Sequence, residues 1–404
     1  MFIKKPTINT VWKYYLFVFF HNLFFISALL VPFFTEWGGI SLAKAQFLQS
    51  WFMFWIFVLE IPTGAIADYF GRKYSIALGS FMVTIAALVY GSIPKFEVFL
   101  LGEFIFAISS ALISGADQAL LYDALKEVNR EEESKKVFGR ANSIRLLGLL
   151  TAAPLGAFIG QKIGINYTML FSSIPFFISA LIALTIKEPK VGIKISESLR
   201  YLDVVKQGFL YFLKHKALRA LAVDGIIIAS SAYFVIWLYQ ALLIKLNVPI
   251  LYFGYFQTFL ILMEMLVSSN FGFFDKAFKS PSRYLTLTTC ATSLTFIFVA
   301  IYPSIISIVV LIIFAGGFGY TRFEYVSALM NKLIDSEKRA TVVSSINMFR
   351  RFALILLNPL VGFISDHSLR WSFLLVGLLP LAALLFSRIR NKRRLNKMVL
   401  YPAQ

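Results

Sequence analysis

The chain has 404 residues, 58% of them hydrophobic and 17% aromatic, with a mean hydropathy of +0.75. Only 15% are charged, where soluble domains carry about 25%, so a large soluble domain is excluded and an all-α membrane protein is implied. The net charge of +18 does not point to nucleic acid, because the basic residues fall in alternate loops between apolar runs, which is a pattern of membrane topology.

Lipid offers no partner to a backbone N–H or C=O, so each long apolar run must be a helix. Runs near the ~20 residues that cross a bilayer predict twelve spans, at 12–34, 45–67, 74–92, 97–122, 138–160, 166–186, 218–243, 251–273, 284–302, 305–329, 341–364 and 369–387. The first run outlasts a signal-peptide core and has no convincing cleavage site, so it counts as a span. Lys4, Lys5, Arg72, Lys73, Lys135, Lys136, Lys276, Lys279, Lys338 and Arg339 lie in the loops of one side, whereas the other side carries only Lys44, Lys95, Lys162, Lys245 and Arg370. By the positive-inside rule both termini are cytoplasmic, as expected for a multi-pass protein of a bacterial inner membrane. The basic loops also suit anionic lipids on the cytoplasmic side. The single cysteine, Cys290, sits among Thr288, Thr289 and Thr292 and is read as packing.

The longest polar interval divides the chain into a first six-helix bundle (1–188), a linker (189–216), a second bundle (217–390) and a basic tail (391–404). Within the linker, Ser196–Leu202 reads as an interfacial amphipathic helix. The halves repeat each other: Asp68 answers to Asp275, Gly115 to Gly319, Ala124 to Ala328, Arg145 to Arg350 and Pro154 to Pro359, at separations of 204 to 207 residues. Two pseudo-symmetric halves around a midplane site are the plan of secondary transporters.

Between spans two and three lies Gly64-Ala65-Ile66-Ala67-Asp68-Tyr69-Phe70-Gly71-Arg72-Lys73. It resembles the G-x-x-x-D-x-x-G-R-K signature of the major facilitator superfamily, and the topology extends that resemblance to the whole chain. The resemblance implies that Gly64 lets span two approach span eleven, that Asp68 faces that neighbour, and that Arg72 reaches an acid at the inner end of span four, for which Asp123 is the match. Gly64, Asp68, Gly71, Arg72, Lys73 and Asp123 then form a conformational latch. The second-half copy is degraded, with Gly272-Phe273-Phe274-Asp275-Lys276 followed by Ala277-Phe278-Lys279. Span five carries Gly148-Leu149-Leu150-Thr151-Ala152-Ala153-Pro154-Leu155-Gly156, a loose form of the family's antiporter signature with two glycines replaced by alanine.

A charge at membrane depth costs on the order of 2.5–3.5 kcal/mol on insertion scales, so each one needs a partner, a cavity or a function. His21, Glu60, Glu103, Asp117, Asp224, Glu264, Arg322 and Glu324 qualify, as do Arg145, Arg350 and Arg351. Two pairings between the halves are expected, Glu60 with Arg350 or Arg351 and Glu264 with Arg145. The alternative holds them within the halves, Arg145 with Asp117 and Arg350 with Glu324. Glu264 and Glu60, then Glu103 and Asp117, are the candidates for proton coupling. His21 reads first as half of a satisfied polar pair with Asn22 and second as a titratable group. Tyr233 and Trp237 in span seven, together with Tyr320, His21 and Asn22, are the candidates to line a substrate cavity.

The resulting expectation is a secondary active transporter working by alternating access. It exports a small amphipathic compound, such as a drug or secreted metabolite, in exchange for protons. Import of a nutrient is the alternative, and a non-transporting receptor or scaffold is the reading from another class. With three scattered histidines and no H-E-x-x-H, G-x-S-x-G or phosphate-binding loop, neither an enzyme nor an ATP-driven pump is expected. The proton gradient is the expected energy source, with no metal or other cofactor, and the protein is expected to act as a monomer.

Overall fold

The computed structural model describes residues 5–189, 215–334 and 339–386. The expected amphipathic segment Ser196–Leu202 and the basic tail 391–404 lie outside the described residues. All regular elements among the described residues are helical. Ten stretches among them are long and apolar enough to cross a membrane, and Leu369–Leu384 is a shorter apolar helix.

In chain order the helices are α1 (Lys5–His21), α2 (Leu42–Phe70), α3 (Arg72–Ser92), α4 (Phe96–Ile113), α5 (Ala116–Lys126), α6 (Ser134–Lys162) and α7 (Ile165–Thr185). They continue with α8 (Lys216–Lys245), α9 (Ile250–Ser269), α10 (Phe271–Phe278), α11 (Pro281–Ile301), α12 (Ile305–Leu311), α13 (Arg322–Met330), α14 (Arg339–His367) and α15 (Leu369–Phe386). Three expected spans are interrupted. Span one ends its α-helix at His21 and goes on through a 3-10 turn (Phe25–Ala28) and a π-helical turn (Phe33–Trp37). Span four breaks between α4 and α5 at Ser114-Gly115, where Gly115 takes φ +80°, a region open to glycine at no steric cost. Span ten passes from α12 through a π-helical segment, Ile312–Gly319, to α13. Span eight stops at Ser269, short of the expected 273, and a separate helix α10 carries Asp275.

The described residues fall into two compact units. One runs through span one to Ile40, takes α2 from Leu48, continues through α7, and includes Pro249–Thr258. The other takes in Ser41–Phe47, α8 as far as Val248, and the chain from Phe259. In the first unit α3 packs on α7 and α4, and α1 on α7 and α6. Its core gathers Tyr14, Phe17, Ile76, Leu120, Leu121 and Val137. In the second, α15 packs on α11, α8 and α14, around a core with Leu221, Tyr284, Leu285, Tyr325 and Ile346.

Span five shows why its glycines are there. Gly148, Ala152, Gly156 and Gly160 recur every four residues and so form one stripe on α6. An added Cβ at Gly148 would meet the Phe19 carbonyl oxygen at 2.9 Å, and at Gly156 the Phe25 carbonyl oxygen at 1.7 Å. The stripe lets α6 lie against the backbone of span one, the small-residue packing that substitutes for a hydrophobic driving force in lipid. The irregular turn of span one is held from its other side, where the Phe25 N–H donates to Ser172 Oγ at 3.0 Å.

Span three begins on a cap from a distant carboxylate. Gly71 adopts φ +99° before α3, and Glu188 accepts from the Arg72 and Lys73 N–H groups at 2.9 and 2.7 Å. A carboxylate at a helix N-terminus satisfies orphan donors and complements the helix dipole. Glu188→Ala is expected to cost about 0.5–2 kcal/mol. The check is a lower midpoint in a thermal-denaturation series monitored by size-exclusion chromatography.

Candidate functional site: a polar cavity within the first unit

A cavity of about 260 Å³ opens between α1, the α4–α5 break and α6. Tyr14, Phe17, His21 and Asn22 face it from span one, Asp117 and Gln118 from the start of α5, and Asn142 and Arg145 from α6. Helix geometry explains the grouping. Tyr14, Phe17 and His21 are three and four residues apart on α1, as Asn142 and Arg145 are on α6, so each set shares a face. The break at Gly115 starts a new helix inside the membrane and places Asp117 in its first turn. Discontinuous helices whose ends carry oriented peptide dipoles are a recurrent way to build a polar site at membrane depth.

Most of the polar groups hold one another. The Tyr14 hydroxyl donates to Asp117 Oδ2 at 3.2 Å, and the Gln118 N–H donates to Asp117 Oδ1 at 2.7 Å. Arg145 Nε donates to Asn142 Oδ1 at 2.9 Å. The pairing of His21 with Asn22 does not form: Asn22 Nδ2 donates instead to the Val18 carbonyl at 2.7 Å, capping the end of α1. The His21 ring stacks on Phe17 with centroids 5.4 Å apart and lies 5.8 Å from Phe176. Its Nδ1 is buried without a hydrogen-bond partner among the described residues. A buried polar nitrogen without a partner costs on the order of 1–3 kcal/mol, which a solute or water in the cavity would offset. The site therefore presents a carboxylate, a guanidinium, amides and an imidazole around aromatic rings. Tyr14, Gln118 and Asn142 were not singled out in the sequence; the i, i+3 relation of Asn142 to Arg145 was the available signal.

The remaining candidates are distributed as follows. At the start of α3 Arg72 forms an ion pair with Asp123 at the foot of α5. Nothing is described of the side chains of Gly64 and Asp68. In the second unit Asp275, the counterpart of Asp68, accepts instead from an uncharged donor, the Tyr325 hydroxyl, at 2.5 Å. Glu103 is buried in α4 and accepts from Gln49 Nε2 of α2 at 2.8 Å, a helix-to-helix tie.

Arg322 is fully buried at the start of α13. Its Nε and Nη2 donate to Asp224 at 2.8 and 2.9 Å, Nη1 to Thr288 Oγ1 at 2.6 Å, and Nη2 also to the Leu285 carbonyl and Thr289 Oγ1, both at 2.9 Å. Bidentate pairing with the other donors occupied supports a fixed brace between α8, α11 and α13. Arg350 of α14 lies over the Phe323 ring at 4.9 Å, with Nε lacking a hydrogen-bond partner among the described residues. Glu60 and Glu264 are half-buried on α2 and α9, Arg351 half-buried on α14, and Glu324 exposed on α13. Trp237 is buried in α8, with Tyr233 and Tyr320 half-buried.

These helices and the interrupted spans define a multi-pass membrane protein with a polar chamber at depth. The profile described as Major Facilitator Superfamily matches residues 15–357, and the chain belongs to that family of transporters. An uncharacterized MFS-type transporter of Methanocaldococcus jannaschii is 25% identical over 226 residues, which are 54% of this chain and 56% of that protein. An uncharacterized transporter of Buchnera aphidicola (Schizaphis graminum) is 32% identical over 127 residues, 31% of this chain and 29% of that one. The matched regions thus span about half or less of these relatives. Among solved structures, a mutant of the nucleoside transporter NupG superposes with a TM-score of 0.80 at 14% identity, covering 94% of this chain and 99% of that one. A bacterial homolog of the human lysosomal transporter Spinster gives 0.76 at 16% identity, covering 99% and 98%. At these identities the likeness is one of fold.

Proposed function

We propose that this transporter is a secondary active carrier working by alternating access, which exports a small amphipathic compound in exchange for protons. The chamber between spans one, four and five forms the first unit's share of the substrate site. The observation that carries this reading is the cavity itself. Asp117, Arg145 and His21, whose Nδ1 has no hydrogen-bond partner among the described residues, converge on one space at membrane depth, where such groups are retained for function. The mixture of one carboxylate, one guanidinium and aromatic walls suits a solute with a polar or zwitterionic end and an apolar body. Asp117 is the coupling group in this scheme: it faces the cavity and is held by one phenol and one backbone N–H, so a proton and a cationic group on the solute compete for it. The inter-half pairs Glu60 with Arg350 or Arg351 and Glu264 with Arg145 belong to the same proposal, as contacts made in one conformational state.

A ligand that binds the native state raises its stability, so a panel of amphipathic amines, acids and zwitterions is screened for thermal stabilisation of the purified protein at several pH values. A stabilising compound is then offered to inverted membrane vesicles under an imposed pH gradient. Accumulation inside them is the expected result, and net loss from preloaded vesicles would mean import. Asp117→Asn is expected to abolish gradient-driven accumulation while leaving exchange of labelled for unlabelled solute. Undiminished accumulation in that variant would remove Asp117 from the coupling step, and binding without flux would identify a receptor.

A further inference from the structure

Sharing no lining residue with the polar cavity, a groove of about 730 Å³ with almost wholly apolar walls lies among α2, α3 and α7. Large side chains on those walls are exposed: Phe70 by 62%, Tyr74 by 54%, and Phe81, Leu181 and Leu184 by 43 to 49%. The floor is made of small buried residues, Ala77 and Ala180, which give the groove its depth. On membrane-spanning helices such exposed apolar side chains meet hydrocarbon. From Tyr74 to Phe81 the groove runs about 10 Å along α3 at ~1.5 Å per residue, which fits within the ~15 Å hydrocarbon depth of one leaflet.

One end of this groove is charged. Lys73 Nζ lies 5.3 Å from the centroid of the Tyr74 ring on one wall. On the other wall, Lys13 Nζ donates to the carbonyl of Thr185, the residue after Leu184, at 2.8 Å. Among the described side chains at that end, Arg72 pairs with Asp123, Lys187 with Glu127, and Glu188 accepts from the N–H groups of Arg72 and Lys73. Two ammonium groups therefore flank the mouth of an acyl-sized apolar channel.

We propose that this groove is a binding site for one phospholipid with an anionic headgroup, one acyl chain lying on Ala77 and Ala180 and the phosphate held between Lys13 and Lys73. The site is separate from the polar cavity and does not depend on what the transporter carries. A zwitterionic lipid fills the groove equally well but brings its own cation to the two lysines, so the headgroup is read by charge.

The test is native mass spectrometry of the full-length protein released from detergent, after equilibration with equal amounts of phosphatidylglycerol and phosphatidylcholine of the same chain length. Preferential retention of phosphatidylglycerol is expected, and the preference should fall roughly fivefold for each of Lys13→Gln and Lys73→Gln. Leu78→Trp fills the groove from a position 43% exposed to lipid, and should lower retention of both lipids while the protein still elutes as a single species. Equal retention of the two lipids by the unmodified protein would overturn the proposal. So would an unchanged preference in the doubly substituted lysine variant, or full retention in a folded Leu78→Trp protein.

Discussion

Asp224→Ala is expected to lower the midpoint of thermal unfolding by on the order of 10 °C, because removing one partner of a buried ion pair costs about 3–5 kcal/mol and leaves the other charge uncompensated. The two side chains are 5% and 1% exposed, so Arg322 has almost no solvent contact to take the place of its carboxylate. The same reasoning gives a sharper result for the double variant Asp224→Leu with Arg322→Met. Both charges then disappear together, and well-packed apolar replacements of a buried pair are often neutral or better. The acceptors left behind are provided for. Thr288 and Thr289 already donate to the Tyr284 and Leu285 carbonyls within their own helix, each at 2.7 Å. Recovery of most of the lost stability in the double variant, measured by fluorescence-detected size exclusion after heating, is the expected outcome. A single variant as stable as the parent would show that the pair is not a brace.

Gly156→Leu is expected to prevent accumulation of a folded monodisperse protein, and Gly156→Ala to destabilise it strongly. A Cβ there would stand 1.7 Å from the Phe25 carbonyl oxygen, a backbone atom that cannot swing aside, so α6 must move off span one and open the packing beneath the polar cavity. Overpacking of a tight core costs typically 1–3 kcal/mol even where neighbours give by rotamer changes, and here no rotamer is available. Gly139→Ala on the same helix is the contrasting case. It is exposed, with nothing within 4 Å of an added Cβ, and should stabilise by about 0.4–1 kcal/mol through the unfolded chain's lost freedom. Equal behaviour of the two alanine variants would separate the glycine stripe from helix packing.

The long apolar runs made most helices legible from the residues, since composition and length suffice to predict a span. The interruptions were less so. Ser114-Gly115 falls inside one predicted span, 97–122, and glycine and serine are common in membrane helices; the fall in hydropathy after it, at Asp117-Gln118, reads as charge at depth rather than as the start of a new helix. In span one the polar His21-Asn22 pair was the trace of the break, read instead as a local polar contact. His21, Asn22, Asp117 and Arg145 each stood out as costly at depth, but their convergence comes from how α1, α5 and α6 pack, which no spacing in the chain encodes. The Arg72 and Asp123 pairing was reached through family resemblance alone; the Glu188 cap, 116 residues from Arg72, left no local signal.

The links at the feet of α5 and α13 differ in kind, and salt should tell them apart. The Arg72–Asp123 pair is partly exposed, with side chains 32% and 17% accessible, so mobile ions screen it over a Debye length of about 8 Å at physiological ionic strength and far less at 1 M. The link from Tyr325 to Asp275 joins a neutral phenol to a carboxylate and loses much less. A rise in electrolyte concentration therefore weakens the link in the first unit more than the one in the second, so two halves that repeat each other in sequence differ in their sensitivity to ionic strength.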